Sequence, residues 1–261
     1  MTGLTAVDQM FAAARAQDRA AFMPYYPVGY PDYDASLAAI MAMAEAGVDG
    51  FEIGIPFSDP LADGPVIQVA TQKALENGIT VRRCLDAVRE LRGRGLRQPM
   101  LLMGYLNPLL AYGLEKLVSD AQSAGADGFI IPDLPPEEAA SFEALCAQAS
   151  LALIFFLAPT SSPDRIALVG QRARGFIYLV SVTGVTGARA ALPPDLPDFI
   201  ARVRAQTDQP LVVGFGISQP EQARAMDGLT DGFIVGSALV KAGAAGTDAV
   251  RDLVARLRGV L

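Results

Sequence analysis

The chain has 261 residues, of which 51% are hydrophobic, and its formal charge at neutral pH is −7. This length and apolar content suffice for one large α/β domain or for two smaller ones. The acidic balance and the lack of a basic cluster argue against nucleic acid as a partner. The sequence contains no run of about 18 apolar residues, the length that predicts a membrane span, so no membrane association is expected.

The use of cysteine and histidine narrows the chemistry. Cys84 and Cys146 lie far apart in segments with helical patterns, which predicts two buried thiols and suits a cytoplasmic protein. The N-terminus lacks a basic region followed by an apolar one, so we expect no signal peptide. The chain has no histidine. Proton transfer must therefore use Asp, Glu, Tyr, Lys, Cys or water, and we expect no metal site.

A strand–helix pattern fills the chain after an amphipathic helix predicted at residues 5–16. Apolar runs typical of parallel strands buried on both faces occur at residues 23–29, 51–55 and 100–105, within residues 124–135, and at residues 151–156, 174–181, 210–216 and 230–239. Helical stretches separate them. Eight units in 261 residues give about 33 residues each, the size of one βα unit. We predict a single (β/α)₈ TIM barrel over residues 1–261 with an additional N-terminal helix; a doubly wound open sheet is the alternative.

A Gly-Phe pair opens each even-numbered strand. The phenylalanines are Phe51, Phe129, Phe176 and Phe233. Aligning these strands places Tyr178 in the register of Ile53, so we expect Tyr178 to point away from Glu52.

Residues 51–65, FEIGIPFSDPLADGP, begin as a buried strand and then become acidic. Strand alternation places Glu52 inside the barrel, with Gly54 leaving space above it. A buried acid without a partner is costly, so Glu52 either pairs with a buried donor or does chemistry. Asp63 lies at the barrel mouth, where active sites of such barrels are found, or caps the helix that follows. Asp59 lies in the same loop and could simply shape its turn.

Glycine-rich segments follow the last three predicted strands, at residues 181–189, 214–218 and 235–240. Glycine lets backbone N–H groups approach an anion closely, and barrels often bind phosphate after strands 7 and 8. The pattern therefore predicts a phosphate site that uses backbone recognition.

The lysines restrict the reaction further. Lys73, Lys116 and Lys241 lie outside the predicted strands, which argues against a Schiff-base aldolase. A metal-dependent aldolase would be expected to use histidine, and a triose-type isomerase would need histidine or lysine as its electrophile. What remains is carboxylate acid–base chemistry on a phosphorylated substrate. Tyrosines at the mouth either hold an apolar ring of that substrate or fill the core.

Six segments occur in the order found in the tryptophan synthase alpha chain family, which the sequence resembles from Phe22 to its end. They are FEIGIPFSDPLADGPVIQ, GYLNP, IIPDLP, SVTGVTG, GFGIS and GSALV. The resemblance implies a (β/α)₈ barrel that cleaves indole-3-glycerol phosphate to indole and glyceraldehyde 3-phosphate in tryptophan biosynthesis. It implies a beta-chain partner in an α2β2 assembly. Pyridoxal phosphate is expected only in that partner, and no cofactor in this chain.

The resemblance also implies roles for individual residues. The family's catalytic glutamate falls on Glu52 and its catalytic aspartate on Asp63. The substrate phosphate-binding residues fall on Gly187, Gly216, Gly236 and Ser237. The indole pocket would include Tyr25, Tyr105, Phe156 and Tyr178, with Thr186 in a mobile loop. Tyr25 stands where phenylalanine is often found in the family.

Three other readings remain open at this point. Another phosphosugar isomerase or synthase could share the glycine-rich loops. A regulatory subunit could bind a phosphoester without chemistry, although the paired acids Glu52 and Asp63 speak against it. A lyase could also release indole without a partner; apolar residues at the mouth, Pro56, Phe57, Leu61, Pro108 and Leu109, could form a partner surface or be packing.

Overall fold

The computed structural model describes residues 2–180, 194–214 and 216–259. In this part of the chain, eight strands close into a barrel in chain order, and every neighbouring pair is parallel. The strands are β1 Ala21–Pro27, β2 Phe51–Gly54, β3 Met100–Met103, β4 Gly128–Ile130, β5 Ala152–Leu157, β6 Ile177–Val180, β7 Leu211–Gly214 and β8 Gly232–Val235. The predicted (β/α)₈ barrel is confirmed, and the open sheet is wrong.

Helices surround the barrel. Within the described ranges they are α1 Leu4–Arg15, α2 Tyr33–Glu45, α3 Pro65–Glu76, α4 Val81–Gly93, α5 Leu106–Tyr112, α6 Leu114–Ala124, α7 Ala140–Gln148, α8 Pro163–Arg172, α9 Leu196–Arg204, α10 Pro220–Arg224, α11 Ser237–Gly243 and α12 Thr247–Arg258. Asp32, Thr80 and Ser162 begin three of them by accepting a hydrogen bond from a first-turn N–H. Among the residues described, no helix has both the length and the apolar character needed to cross a membrane.

The N-terminal helix α1 covers the amino-terminal end of the barrel, as the extra helix predicted from the sequence requires. Its apolar face, which includes Met10 and Phe11, is buried. The ring of Phe11 meets that of Phe176 edge-on, with 5.8 Å between the ring centres. The backbone N–H of Leu4 donates to the Ser150 carbonyl at 2.7 Å. This helix therefore closes the amino-terminal end, and the carboxyl end is the side where active sites of such barrels are found.

Three of the even-numbered strands, β2, β4 and β8, are each preceded by an aspartate that bonds to the neighbouring odd-numbered strand. Each carboxylate accepts a hydrogen bond from a backbone N–H at the start of β1, β3 or β7. The pairs are Asp49 with Phe22 at 2.8 Å, Asp127 with Met100 at 2.7 Å and Asp231 with Leu211 at 2.9 Å. Each aspartate also forms an ion pair with an arginine: Asp49 with Arg19, Asp127 with Arg92 and Asp231 with Arg204. These contacts fix the strand register at the closed end.

The fourth Gly-Phe pair, Gly175 and Phe176, departs from this arrangement because Arg174 replaces the aspartate. Gly175 has φ of 103°, a left-handed conformation that favours glycine, and β6 begins only after Phe176. The pair therefore lies wholly before its strand, whereas β2 begins at Phe51 and β4 and β8 begin at the glycine of their pairs.

This shift corrects the expected orientation of Tyr178. The N–H of Ile177 donates to the carbonyl of Pro210, just before β7, at 2.8 Å. The N–H of Phe51 donates in the same way to the carbonyl of Pro99, just before β3, at 2.8 Å, so Ile177 and Phe51 occupy equivalent positions. Tyr178 thus occupies the place of Glu52, not of Ile53. A methyl group at Gly214 of the neighbouring strand β7 would lie 2.3 Å from the Tyr178 hydroxyl oxygen, so the Tyr178 side chain points into the barrel. The prediction that it points away from Glu52 is wrong.

The Asp127 contacts predict a large effect on stability. The Asp127 carboxylate is fully buried, accepts the N–H groups of Gly3 at 2.6 Å and Met100 at 2.7 Å, and pairs with Arg92 at 2.5 Å. Replacing Asp127 by alanine leaves a mostly buried guanidinium and two N–H groups without their acceptor. We expect the free energy of unfolding to fall by about 3–5 kcal/mol, measured by denaturant unfolding.

A matched control lies on the same helix as Arg92. Asp86 pairs with Arg89 at 2.8 Å, and both side chains are about half exposed. Exposed pairs of this kind contribute little to stability, so Asp86→Ala should unfold at nearly the wild-type denaturant concentration. Equal effects of the two substitutions would show that the Asp127 contacts do not hold the closed end together.

Candidate active site

Glu52 lies inside the barrel at the middle of β2. It pairs in register with Tyr25 of β1 and Leu101 of β3, and it is 2% exposed. Its Oε1 atom is buried and has no hydrogen-bond partner in the described part of the chain. Burial, reinforced by the charge of Asp63, raises the pKa of Glu52 to about 8. Glu52 therefore holds a proton at neutral pH and can act as an acid.

Asp63 lies in the loop between β2 and α3, and its side chain is also buried. The N-cap position of α3 is Gly64, so Asp63 is not the residue that caps this helix. The Tyr105 hydroxyl donates to Asp63 Oδ2 at 3.1 Å. Burial raises the pKa of Asp63 to about 6, and the hydrogen bond from Tyr105 opposes that rise. Asp63 is therefore mostly ionised at pH 7, where Glu52 is mostly protonated.

Backbone contacts hold the Asp63 loop against the barrel mouth. The Asp63 N–H donates to the Pro60 carbonyl at 3.0 Å, and the side-chain amide of Gln68 donates to the Asp63 carbonyl at 2.9 Å. The Ala62 N–H donates to the Tyr105 hydroxyl at 3.0 Å. Tyr105 thus fixes both the loop backbone and the carboxylate. Asp59 in the same loop is exposed and accepts a hydrogen bond from its neighbour Ser58.

The space above Glu52 is occupied by Tyr25. A methyl group at Gly54 would lie 2.5 Å from the Tyr25 hydroxyl oxygen. The absence of a side chain at Gly54, which the sequence predicted would leave room over the acid, therefore makes room for this phenol. Gly236 lies against the other end of the Tyr25 side chain, with its Cβ position 3.5 Å from that of Tyr25. Tyr25 spans from β8 to β2 beneath the mouth.

Aromatic rings form a wall on the opposite side of the barrel. Phe156 of β5 and Tyr178 of β6 are register partners, and their rings stack with 4.6 Å between centres. Nearer the mouth, the rings of Phe57 and Tyr105 are 5.4 Å apart. Four residues predicted to line an indole pocket, Tyr25, Tyr105, Phe156 and Tyr178, thus come from different strands or strand ends. Planar walls of this kind suit a planar apolar ring.

The predicted phosphate residues are described only in part. Gly216 follows β7 and has φ of 70°, so glycine is favoured there. Gly236 follows β8, and Ser237 is the first residue of α11, so its N–H group is free of intrahelical bonds. These residues lie at the carboxyl ends of adjacent strands, where a phosphate can meet backbone donors. Gly187 and Thr186 lie outside the described residues.

The sequence predicts Tyr105 only as a wall of the ring pocket and does not predict its hydrogen bond to Asp63. The two residues are 42 positions apart, and no local pattern connects them. Only the closed barrel, which places the loop after β2 beside the end of β3, brings them together. Among the described residues, no group of three or more His, Cys, Asp and Glu side chains could hold a metal ion.

Comparison with known proteins agrees with this geometry. The family model described as tryptophan synthase alpha chain matches residues 11–259. The chain belongs to the tryptophan synthase alpha chain family. The alpha chain of Chloroflexus aggregans is 53% identical over 234 residues, which cover 90% of this chain and 88% of that protein. The alpha chain of Gluconacetobacter diazotrophicus is 45% identical over 265 residues, which cover 98% and 97%.

Solved structures give the same result. A chain of Mycobacterium tuberculosis tryptophan synthase matches with a TM-score of 0.92 at 42% identity, covering 97% of this chain and 96% of that one. The alpha chain from Legionella pneumophila matches with a TM-score of 0.89 at 34% identity, covering 99% and 97%. The activity predicted from the sequence is confirmed at the level of the family: the chain is a lyase of tryptophan biosynthesis that cleaves indole-3-glycerol phosphate.

Proposed function

We propose that Glu52 and Asp63 divide the acid–base work of this cleavage between them. The observation that carries the proposal is their unequal proton affinity in one buried site: the pKa of Glu52 is raised to about 8 and that of Asp63 to about 6. Between these values one acid carries a proton and the other a charge. Retro-aldol cleavage needs one group of each kind.

The proposed first step transfers the Glu52 proton to C3 of the indole ring. The ring nitrogen then bears positive charge, and the Asp63 carboxylate stabilises it by accepting a hydrogen bond from the ring N–H. The bond from C3 to the glycerol chain breaks next, and its electron pair returns to the ring to form indole. The glycerol hydroxyl gives its proton to ionised Glu52 as its oxygen becomes the aldehyde oxygen of glyceraldehyde 3-phosphate. Glu52 ends the cycle protonated, as it began.

Binding is assigned to the two sides of the mouth. Backbone N–H groups at Gly216, Gly236 and Ser237 are proposed to hold the phosphate, and Gly187 is expected to join them. The stacked rings of Phe156 and Tyr178 are proposed to pack against the indole ring. The indole would then lie between the phosphate-binding residues and Asp63. Anchoring the phosphate fixes the distance from C3 to Glu52, which converts binding energy into orientation.

The beta chain is proposed to dock at the mouth, in an α2β2 complex in which only the beta chain carries pyridoxal phosphate. Exposed apolar side chains lie there on the loop after β2, on α3 and on α5: Leu61, Val66, Val69 and Leu110. Leu61 is 87% exposed, which is unusual for leucine beside a site that must exclude water. Two residues considered for this surface, Pro56 and Leu109, are buried and belong to the packing. We further propose a cytoplasmic location.

The test is release of indole from indole-3-glycerol phosphate by the purified chain, with and without an added beta chain. We expect slow release by the chain alone and a strong increase when the beta chain is present. Fast release that the beta chain does not change would mean a lyase that works alone. No release under either condition would exclude the proposed acid–base scheme and favour a subunit that only binds a phosphoester.

A further inference from the structure

Asp63 and Glu52 differ in one respect that the scheme above does not use. Asp63 has a phenol donor, the hydroxyl of Tyr105 at 3.1 Å. Glu52 has a buried Oε1 atom with no partner in the described ranges. A buried carboxylate without a donor is costly, and Glu52 becomes such a carboxylate whenever it releases its proton. The reaction therefore needs a donor that Glu52 can use after proton transfer.

Tyr25 is placed to be that donor. It pairs in register with Glu52 on the adjacent strand, and both side chains point into the barrel. Its hydroxyl lies over Gly54, the next inward-facing position on the strand of Glu52. Its ring base rests against Gly236, which follows β8. The side chain thus runs from beside Gly236 to Gly54, which places its hydroxyl next to the strand that carries Glu52.

We propose that Tyr25 is a positioning residue for the retro-aldol reaction, whose hydroxyl donates a hydrogen bond to Glu52 once Glu52 has given its proton to the ring. This inference rests on the acid–base roles proposed above for Glu52 and Asp63. The step moves no further proton: Tyr25 keeps its own, and Glu52 takes back a proton from the glycerol hydroxyl. Stabilising the ionised form makes Glu52 a stronger acid toward C3 while the phenol itself stays neutral.

The electrostatic setting supports this role. Burial raises the pKa of Tyr25 well above its ordinary value, and the neighbouring Asp63, Glu52, Tyr105 and Cys84 raise it further, in that order. Tyr25 therefore remains a protonated donor throughout the pH range of the reaction. The Cys84 thiol is also neutral, because burial raises its pKa. Tyr178 faces the same acids from β6, and burial raises its pKa well above the ordinary value.

The test is Tyr25→Phe, which removes the hydroxyl and keeps the ring. We expect kcat for indole release to fall about tenfold with KM nearly unchanged, since a hydrogen bond to the ionised acid is lost after binding. We also expect the alkaline limb of the kcat profile to move to higher pH, because the ionised form of Glu52 loses its stabilisation. The matched control is Tyr26→Phe. The Tyr26 side chain faces the helices beside Gly243, and its buried hydroxyl has no partner among the described residues, so kcat should not change.

Three results would overturn the inference. Wild-type kcat in Tyr25→Phe would exclude a role for the hydroxyl, and a change in KM alone would make Tyr25 a wall of the pocket. In the double variant with Asp63→Asn, the two losses in kcat should multiply if Tyr25 acts through Glu52; a combined loss no larger than that of Asp63→Asn would place its action on Asp63 instead. Absence of indole release by the wild-type chain, by contrast, would refute the acid–base scheme itself.

Discussion

Glu52→Gln is expected to lower kcat for indole release by about a thousandfold or more while the barrel stays folded. The amide keeps the length and planar shape of the side chain but can neither give a proton to C3 nor accept one from the glycerol hydroxyl. Both proton transfers in the proposed scheme pass through this group. Single-turnover indole formation, followed spectroscopically with the enzyme in saturating excess over substrate, is the measurement.

The pH profile of the wild-type chain gives an independent check on the same residue. The value of kcat/KM should rise through pH 6 as Asp63 ionises and fall through pH 8 as Glu52 loses its proton, following pKa values raised to about 6 and about 8. Because the two acids interact, these limbs belong to the pair. In Glu52→Gln the alkaline limb should disappear from whatever activity remains.

Stability separates a catalytic Glu52 from a structural one. Its pKa is about 8 in the folded chain and near the ordinary value of 4.5 when unfolded, so the folded state binds more protons between these values. Stability contributed by protonated Glu52 is complete below the unfolded value and is lost as pH rises toward the folded value. The glutamine amide in Glu52→Gln cannot ionise, so we expect the variant to be at least as stable as wild type at pH 8. A variant that unfolds, or that turns over normally, would make Glu52 a structural acid.

Much of the barrel could be predicted because its signals are local and repeated. Apolar runs separated by helical stretches recur eight times at the spacing of a βα unit, which favours a parallel barrel over an open sheet. Glu52 could be placed inside because its strand alternates cleanly with Phe51 and Ile53. Asp63 could be placed at the mouth because it follows that strand directly.

What could not be predicted depends on register and on contacts between distant segments. The Gly-Phe alignment misplaced Tyr178 because Gly175 takes a left-handed conformation that shifts its strand by one residue, and a one-residue shift moves a side chain to the other face. The contact of Tyr105 with Asp63 needs two strand ends that are distant in sequence. The position of the Tyr25 hydroxyl depends on Gly54 of a neighbouring strand, which the sequence could assign only to empty space.

Asp63→Asn is expected to lower kcat by about 100- to 1000-fold with KM within a few-fold of wild type. Asparagine retains an oxygen that can accept the Tyr105 hydroxyl and the ring N–H, so the loop and the substrate keep their contacts. The negative charge is lost, and that charge is needed only when the ring nitrogen becomes cationic. Steady-state kinetics on the chain alone would separate kcat from KM.

The pH profile of this variant should change at both ends, which distinguishes loss of the charge from loss of loop structure. The rise through pH 6 should vanish because no aspartate ionises there. The alkaline limb should move below pH 8, since the Asp63 charge contributes to the raised pKa of Glu52. Asp59→Asn is the control, because Asp59 is an exposed acid of the same loop, and it should leave kcat of the isolated chain unchanged. If Asp63→Asn only raised KM and kept both limbs in place, Asp63 would hold the loop and the substrate without stabilising the cation, and Glu52 would be left as the single acid of the reaction.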